Sequence, residues 1–109
     1  RDAISSEAST IEYDGKKYAK VLFLVGKDYD TYEKNMELTN KLNDIFKSYI
    51  PNISRGVIVK GGSNVNGIYN QDLNQNIVLI ECGGSENTID EVINTINVLS
   101  NVIKDYLGD

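Results

Sequence analysis

The sequence predicts an α/β fold, a mixed sheet with flanking helices, and three observations carry that reading. Residues 77–80, Ile77-Val78-Leu79-Ile80, are an unbroken apolar run of the kind found in strands covered on both faces. Val21-Leu22-Phe23-Leu24-Val25 is a second such run. Two longer stretches, 31–49 and 88–107, instead repeat their apolar residues at helical spacing. Strand-like and helix-like stretches then alternate with short connections, which is the α/β pattern.

The elements follow in order. Residues 1–10 are small and polar and read as a loop. Ile11-Glu12-Tyr13 and Lys16-Lys17-Tyr18 flank Asp14-Gly15, a pair suited to the positive φ of a tight hairpin turn. A strand over 20–26 leads through a polar loop into a helix over 31–49. Its stripe is Leu38, Leu42, Ile45 and Tyr49, flanked by Met36 and Phe46, and Pro51 stops it. Residues 55–60 form another strand. Residues 61–74, rich in Gly and Asn, read as a functional or mobile loop. After the strand ending in Glu81-Cys82-Gly83-Gly84, Thr88 and Glu91 make a capping box. Ile89, Val92, Ile93, Ile96, Leu99, Ile103 and Leu107 form the cleanest helical stripe of the chain, and Gly108 ends it.

Composition narrows the function. The chain has 109 residues, one domain or part of one, and its formal charge of −5 argues against nucleic acid and against an anionic membrane surface as direct partners. Cys82 is the only cysteine, so no internal disulfide forms, and without a histidine to activate it a structural thiol is the natural reading. No run reaches transmembrane length, and no signal peptide is present. Beginning at Arg1-Asp2-Ala3 without Met, the sequence reads as a piece of a longer chain. The glycine pairs are not phosphate loops, since no Gly-Lys-Ser/Thr follows.

Glu81 is the residue that points to chemistry. A carboxylate at the end of an apolar strand, before two glycines and a helix start, lies where open α/β sheets bind ligands. Ile80 and Cys82 point to the opposite face and would anchor it. Gly83 and Gly84 would leave room for a substrate backbone, and the helix start at Thr88 would add donors to the same rim. Such a glutamate can act as general base or steady the charge of an attack. The plainer alternatives are a cap on the following helix or an ion pair with Arg55 or Lys60. The chain has no histidine, so any metal that Glu81 served would take most of its ligands from elsewhere.

The combination Ser54-Arg55-Gly56, Tyr69-Asn70-Gln71-Asp72-Leu73, Leu79-Ile80-Glu81-Cys82-Gly83-Gly84 and Glu86-Asn87-Thr88 resembles the C-terminal half of the stage II sporulation protein P family. Phe23-Leu24-Val25-Gly26-Lys27, with Glu33-Lys34-Asn35, fits as well, so the resemblance covers nearly the whole chain. That family is related to zinc N-acetylmuramoyl-L-alanine amidases. The resemblance implies that residues 1–109 are the C-terminal fragment of a single amidase-like catalytic domain that lacks its N-terminal half. It implies a peptidoglycan hydrolase parent that cleaves the N-acetylmuramoyl-L-alanine amide during engulfment in endospore formation. Zinc would be held by upstream histidines and a glutamate, with no metal and no activity in this fragment alone.

Carried over by position, Glu81 matches the catalytic glutamate. Arg1 and Asp2 match the tail of a metal-ligand motif at the cleft edge. Asn70, Gln71 and Asp72 match an Asn-Gln-Asp motif that positions the Glu81 strand or contacts peptidoglycan. Arg55 could orient a carboxylate of the substrate peptide. The implied partners are peptidoglycan and other sporulation engulfment proteins. The implied place is extracytoplasmic, at the membrane or septum of a spore-forming bacterium, with a membrane-anchored parent. The rival reading is a non-catalytic α/β module that binds cell-wall peptide or a partner protein. A receiver-type signalling domain is disfavoured, because its acidic pair and lysine are not supplied by Gly26-Lys27-Asp28 and Glu81-Cys82-Gly83.

Overall fold

A computed structural model describes residues 3–108. The order is α1 (Ser6–Ser9), β1 (Thr10–Tyr13), β2 (Lys16–Ala19), β3 (Val21–Gly26), α2 (Tyr32–Tyr49), β4 (Ser54–Lys60), a 3-10 turn (Gln71–Leu73), β5 (Leu79–Cys82) and α3 (Ile89–Leu107). The chain is mixed α/β as its pattern predicts. β1 and β2 form the antiparallel hairpin, with Asp14 and Gly15 both at positive φ (52° and 80°). Residues 3–10 are more ordered than their composition suggests. Ser5 caps α1 by accepting from the Ala8 N–H, and β1 already starts at Thr10.

The main sheet has the order β4-β3-β5, with β3 parallel to β4 and antiparallel to β5. Every residue of β3 is buried, so β3 is the strand covered on both faces. The run 77–80 behaves differently. Only Leu79–Cys82 is strand, all of it half-buried, because β5 lies at the sheet edge and has one neighbour. Its direction matters too. Cys82 pairs with Val21, and the Gly83 N–H donates to the Lys20 carbonyl at 2.7 Å. The carboxyl end of β5 therefore lies beside the amino end of β3, and the rule that ligands gather at the carboxyl ends of parallel strands does not place Glu81.

Both long helices pack on one side of the sheet. Val21 and Phe23 of β3 meet Leu42 and Phe46 of α2 and Val98 and Val102 of α3, with Ile80 and Cys82 of β5 against the same cluster. The Phe23 and Phe46 rings pack edge to face at 5.9 Å. The shortest molecular extent is 19 Å, which one sheet and one helical layer fill. The hairpin tucks beside α3, where the Thr95 hydroxyl donates to the Ala19 carbonyl at 2.7 Å and the Asn94 amide to the Lys17 carbonyl at 3.0 Å.

The predicted stripe of α2 meets the core: Leu42 and Phe46 are buried, and Leu38, Ile45 and Tyr49 are partly buried against them, with Asn35 and Thr39 buried beside the stripe. α3 buries Thr95, Val98 and Val102, while Ile89, Ile93, Ile96, Ile103 and Leu107 are exposed. The buried polar residues are only partly satisfied: Thr95 is bonded, while Asn35 Oδ1 and Thr39 Oγ1 have no hydrogen-bond partner among the described residues. The Asn35 amide donates to the carbonyls of Asn74 and Ile77 at 3.0 and 2.8 Å, fixing the entry to β5.

Candidate functional site

Glu81 sits opposite Leu22 in the β3–β5 ladder, and Ile80 opposite Phe23. Since neighbours on a strand alternate faces, Ile80 and Cys82 enter the helical core while Glu81 lies on the opposite sheet face with Leu22. This is the anchoring the sequence suggested. The Glu81 side chain is half-buried. Among the described residues it forms no hydrogen bond and no ion pair, and the plainer structural roles are filled by others. The capping box of α3 is made by Glu91, whose carboxylate accepts from the Thr88 N–H at 3.0 Å while Thr88 Oγ1 accepts from the Glu91 N–H at 3.1 Å. That box also occupies the helix-start donors that could have served the rim.

Arg55 comes to the same end of the sheet. It is exposed on β4, where the register shifts between Val21 and Phe23 and Gly56 takes φ 103°. β4 and β5 flank β3, so the backbones at Arg55 and Glu81 lie about 10 Å apart, two strand spacings.

The turn after Glu81 is built with little tolerance. Gly83 has φ +69°, and a Cβ there would lie 2.5 Å from Asn87 Oδ1 and 2.9 Å from Ala19 Cβ. Its glycine serves the fold, which corrects the reading that it clears room for substrate. Asn87 holds the turn: its Oδ1 accepts from the Gly84 N–H at 2.7 Å, and its Nδ2 donates to Thr10 Oγ1 at 2.8 Å and to Glu91 Oε1 at 3.0 Å. The Asn87 bond, then the Thr88 N–H, hold the Glu91 carboxyl below its ordinary pKa, against a smaller opposing effect of burial. Sequence reasoning placed Asn87 within a motif and missed this work. An Asn between two glycines and a capping box was the available signal.

The Asn-Gln-Asp motif lies elsewhere. Gln71 is fully buried; its Oε1 accepts from the Gly26 N–H at 2.8 Å and its Nε2 donates to the Leu24 carbonyl at 2.9 Å. Leu24 and Gly26 turn the same backbone edge outward as Leu22, toward β5. The Gln71 amide thus stands in for a peptide group and continues the ladder beyond Leu79. Gln71 bonds the backbone of β3 and not that of β5, the strand that carries Glu81. Asn70, at φ 58°, and Asp72 flank it in the exposed turn. The motif is at the carboxyl end of β3, roughly 10 Å along the strand from Glu81.

A second cluster surrounds that end. The Asp28 carboxylate accepts from Gly62 and Gly67 N–H groups at 3.2 and 3.0 Å, so the first half of the glycine-rich loop is clamped to it. The Tyr29 hydroxyl donates to Gln71 Oε1 at 3.4 Å; burial and then the Asp72 charge raise its pKa. Arg1 and Asp2, expected at the cleft edge, lie outside the described residues.

No group of three or more His, Cys, Asp or Glu among the described residues could hold a metal ion, so these residues do not by themselves make a zinc site. A cleft of about 620 Å³ lies on the helical side between α2, α3 and β5, away from the face of Glu81. What this geometry offers is a half-buried carboxylate that bonds no described group, on the sheet face away from the two long helices, with a guanidinium at the same end of the sheet.

The chain matches the family described as Stage II sporulation protein P (SpoIIP) over residues 1–104. It is 34% identical over 109 residues to the "Stage II sporulation protein P" of Bacillus subtilis (strain 168), an alignment that covers 100% of this chain and 27% of that relative. The chain thus spans about a quarter of the length of the curated relative it matches. No solved structure matches it. With the family matched across all but the last five positions and a relative aligned end to end, the chain belongs to the stage II sporulation protein P family.

Proposed function

We propose that this chain is the part of an amidase-like peptidoglycan hydrolase that carries its catalytic carboxylate, Glu81. The parent would cleave the amide between N-acetylmuramic acid and the stem-peptide L-alanine during engulfment. The observation that carries the reading is the state of Glu81: held by a strand whose alternate residues are in the core, facing away from the helices, and engaged by no described group. A rigid carboxylate with free lone pairs can take a proton from a water as the water attacks the amide carbon. It can then pass that proton to the departing amine, so the carbon–nitrogen bond breaks and the carboxylate is regenerated. Arg55, at the same level of the sheet, would orient a carboxylate of the peptide.

The zinc implied by the family resemblance would be held by residues that precede residue 1 in the parent, and the fragment alone would be inactive. The parent would act outside the cytoplasm, at the membrane or septum, with peptidoglycan and other engulfment proteins as partners. No described helix is long and apolar enough to cross a membrane, so an anchor would lie in another part of the parent.

The test is Glu81→Gln in the full-length parent, assayed by release of soluble fragments from purified sacculi, with zinc content measured on the same sample. Gln keeps the shape but cannot accept the proton, so activity should fall by a factor of about 100 to 10,000 with zinc content unchanged. Retained activity would remove Glu81 from the chemistry and leave a binding module as the better reading.

A further inference from the structure

We propose that α3 carries a seam by which two copies of this chain pair, helix against helix and antiparallel. The proposal does not depend on the chemistry assigned to Glu81, which lies on the sheet face away from the helices.

The seam is written in the spacing of α3. Ile89, Ile93, Ile96, Ser100, Ile103 and Leu107 follow one another at intervals of 4, 3, 4, 3 and 4 residues. A helix laid on a globular core repeats its apolar residues about every 3.6 positions, whereas a repeat of about 3.5 is the a and d seam of a coiled coil. The core takes a different face of α3. Thr95, Val98 and Val102 are buried, and at about 100° per residue the middle of the seam lies about 150° around the helix from them. Its apolar members are exposed: Ile89 74%, Ile93 49%, Ile96 47%, Ile103 43% and Leu107 64%. A contiguous apolar surface of this kind marks an interaction site.

The seam complements itself when turned end for end. About a two-fold axis at the level of Val98, Ile89 meets the partner's Leu107, Ile93 the partner's Ile103 and Ile96 the partner's Ser100, so every position is matched. The charges agree with this register. Asp90 in the first turn and Lys104 in the last flank the seam on one side, with Asn97 midway between them. The same rotation sets Asp90 beside the partner's Lys104 and Lys104 beside the partner's Asp90. Neither is in an ion pair among the described residues. A parallel pair leaves both charges unmatched and lays the two helix dipoles side by side in the same sense, while the antiparallel pair opposes them.

On the other flank stand Leu99 and Tyr106, which line the groove of about 620 Å³, so the apolar surface continues beyond the seam. The formal charge of −5 on each copy opposes association, but salt screens it beyond about 8 Å, and the charges flanking the seam balance. That the seam matches its own reverse in both apolar and charged positions is what a two-fold contact requires, and it singles out a second copy as the occupant. The 19 residues of α3 make a contact about 28 Å long, a small interface, so the pair should form in the micromolar range.

The experiment sediments the full-length parent at concentrations from about 1 to about 100 µM. A monomer–dimer equilibrium is expected, and a monomer throughout would overturn the proposal. Ile96→Glu puts a charge in the middle of the seam, on a side chain exposed in the single copy, and should weaken the pair at least about 100-fold. A dimer that survives it is held by another surface, which also overturns the proposal. Ser100→Ile fills the polar gap in the seam and should tighten the pair at least about 10-fold, so the answer does not rest on a loss alone; no tightening counts against the seam. Asp90→Lys and Lys104→Asp test the register. Each alone sets like charges together and should weaken the pair about 5-fold, and the double variant should restore it. Both changes oppose the helix dipole, so recovery in the double variant reports pairing and not helix stability. Failure to recover would overturn the antiparallel arrangement.

Discussion

The two ends of β3 carry polar residues from two motifs and use them in opposite ways. At the carboxyl end, Gln71 is buried and both ends of its amide are bonded to the strand backbone at 2.8 and 2.9 Å. At the amino end, Glu81 is half-buried, and its carboxylate bonds no described group. Both side chains sit beside the same strand. The difference teaches that a polar residue in a motif speaks for chemistry only when the fold leaves its hydrogen-bonding capacity unused. Gln71 replaces a missing peptide neighbour, and Glu81 replaces nothing.

That contrast can be broken by mutation in the full-length parent. The largest stability effect should come from Gln71→Leu, which leaves the Gly26 N–H buried without a partner and removes the amide bond to the Leu24 carbonyl. The expected loss is about 3 kcal/mol, read from chemical denaturation. A loss under about 0.5 kcal/mol would mean that water or a neighbour replaces the amide, and the contrast would collapse.

Gly83→Ala comes next. It forces a side chain into φ +69° and against Asn87 and Ala19, and should cost about 2 kcal/mol. Since the same turn carries the strand of Glu81, hydrolysis by the parent should weaken with it, in the same preparation. Unchanged stability would show that the turn can relax.

A pH series sharpens the picture around Asn87. The folded-state pKa of Glu91 is lowered, so the bonds it makes stabilise the fold above its ordinary value near 4.5 and are lost as pH falls through the lower folded value. Thermal melts from pH 6 to pH 3 should therefore show the unmutated chain losing more stability below about pH 4.5 than Glu91→Gln does. Parallel curves would remove Glu91 from the acid response. The smallest stability effect belongs to Glu81→Gln, within about 0.5 kcal/mol, because no described bond depends on that carboxylate. A large loss would place Glu81 in the fold and weaken its catalytic assignment.

Local patterns in the sequence settled much of this protein. Asp14-Gly15 specified the hairpin, because few residues accept the positive φ of its turn. Thr88 and Glu91 specified the start of α3, and Gly108 its end, because cap geometry involves only neighbouring residues. The alternation through Ile80, Glu81 and Cys82 separated core from open face, because the period of a strand is two.

Tertiary structure decided what depends on residues far apart. The direction of β5 was not legible, since a strand reads alike parallel or antiparallel, and it moved Glu81 to the amino end of β3. Whether 77–80 or 21–25 was the covered strand depended on position in the sheet, and apolar runs alone do not encode that. The work of Gln71 and Asn87 came from contacts across 47 and 77 positions of sequence. The stripe of α3 predicted the wrong buried face, since Ile89, Ile93, Ile96, Ile103 and Leu107 are exposed and its neighbours among residues 3–108 cover the adjacent face. Periodicity states which side of a helix avoids water, and only packing determines what meets it.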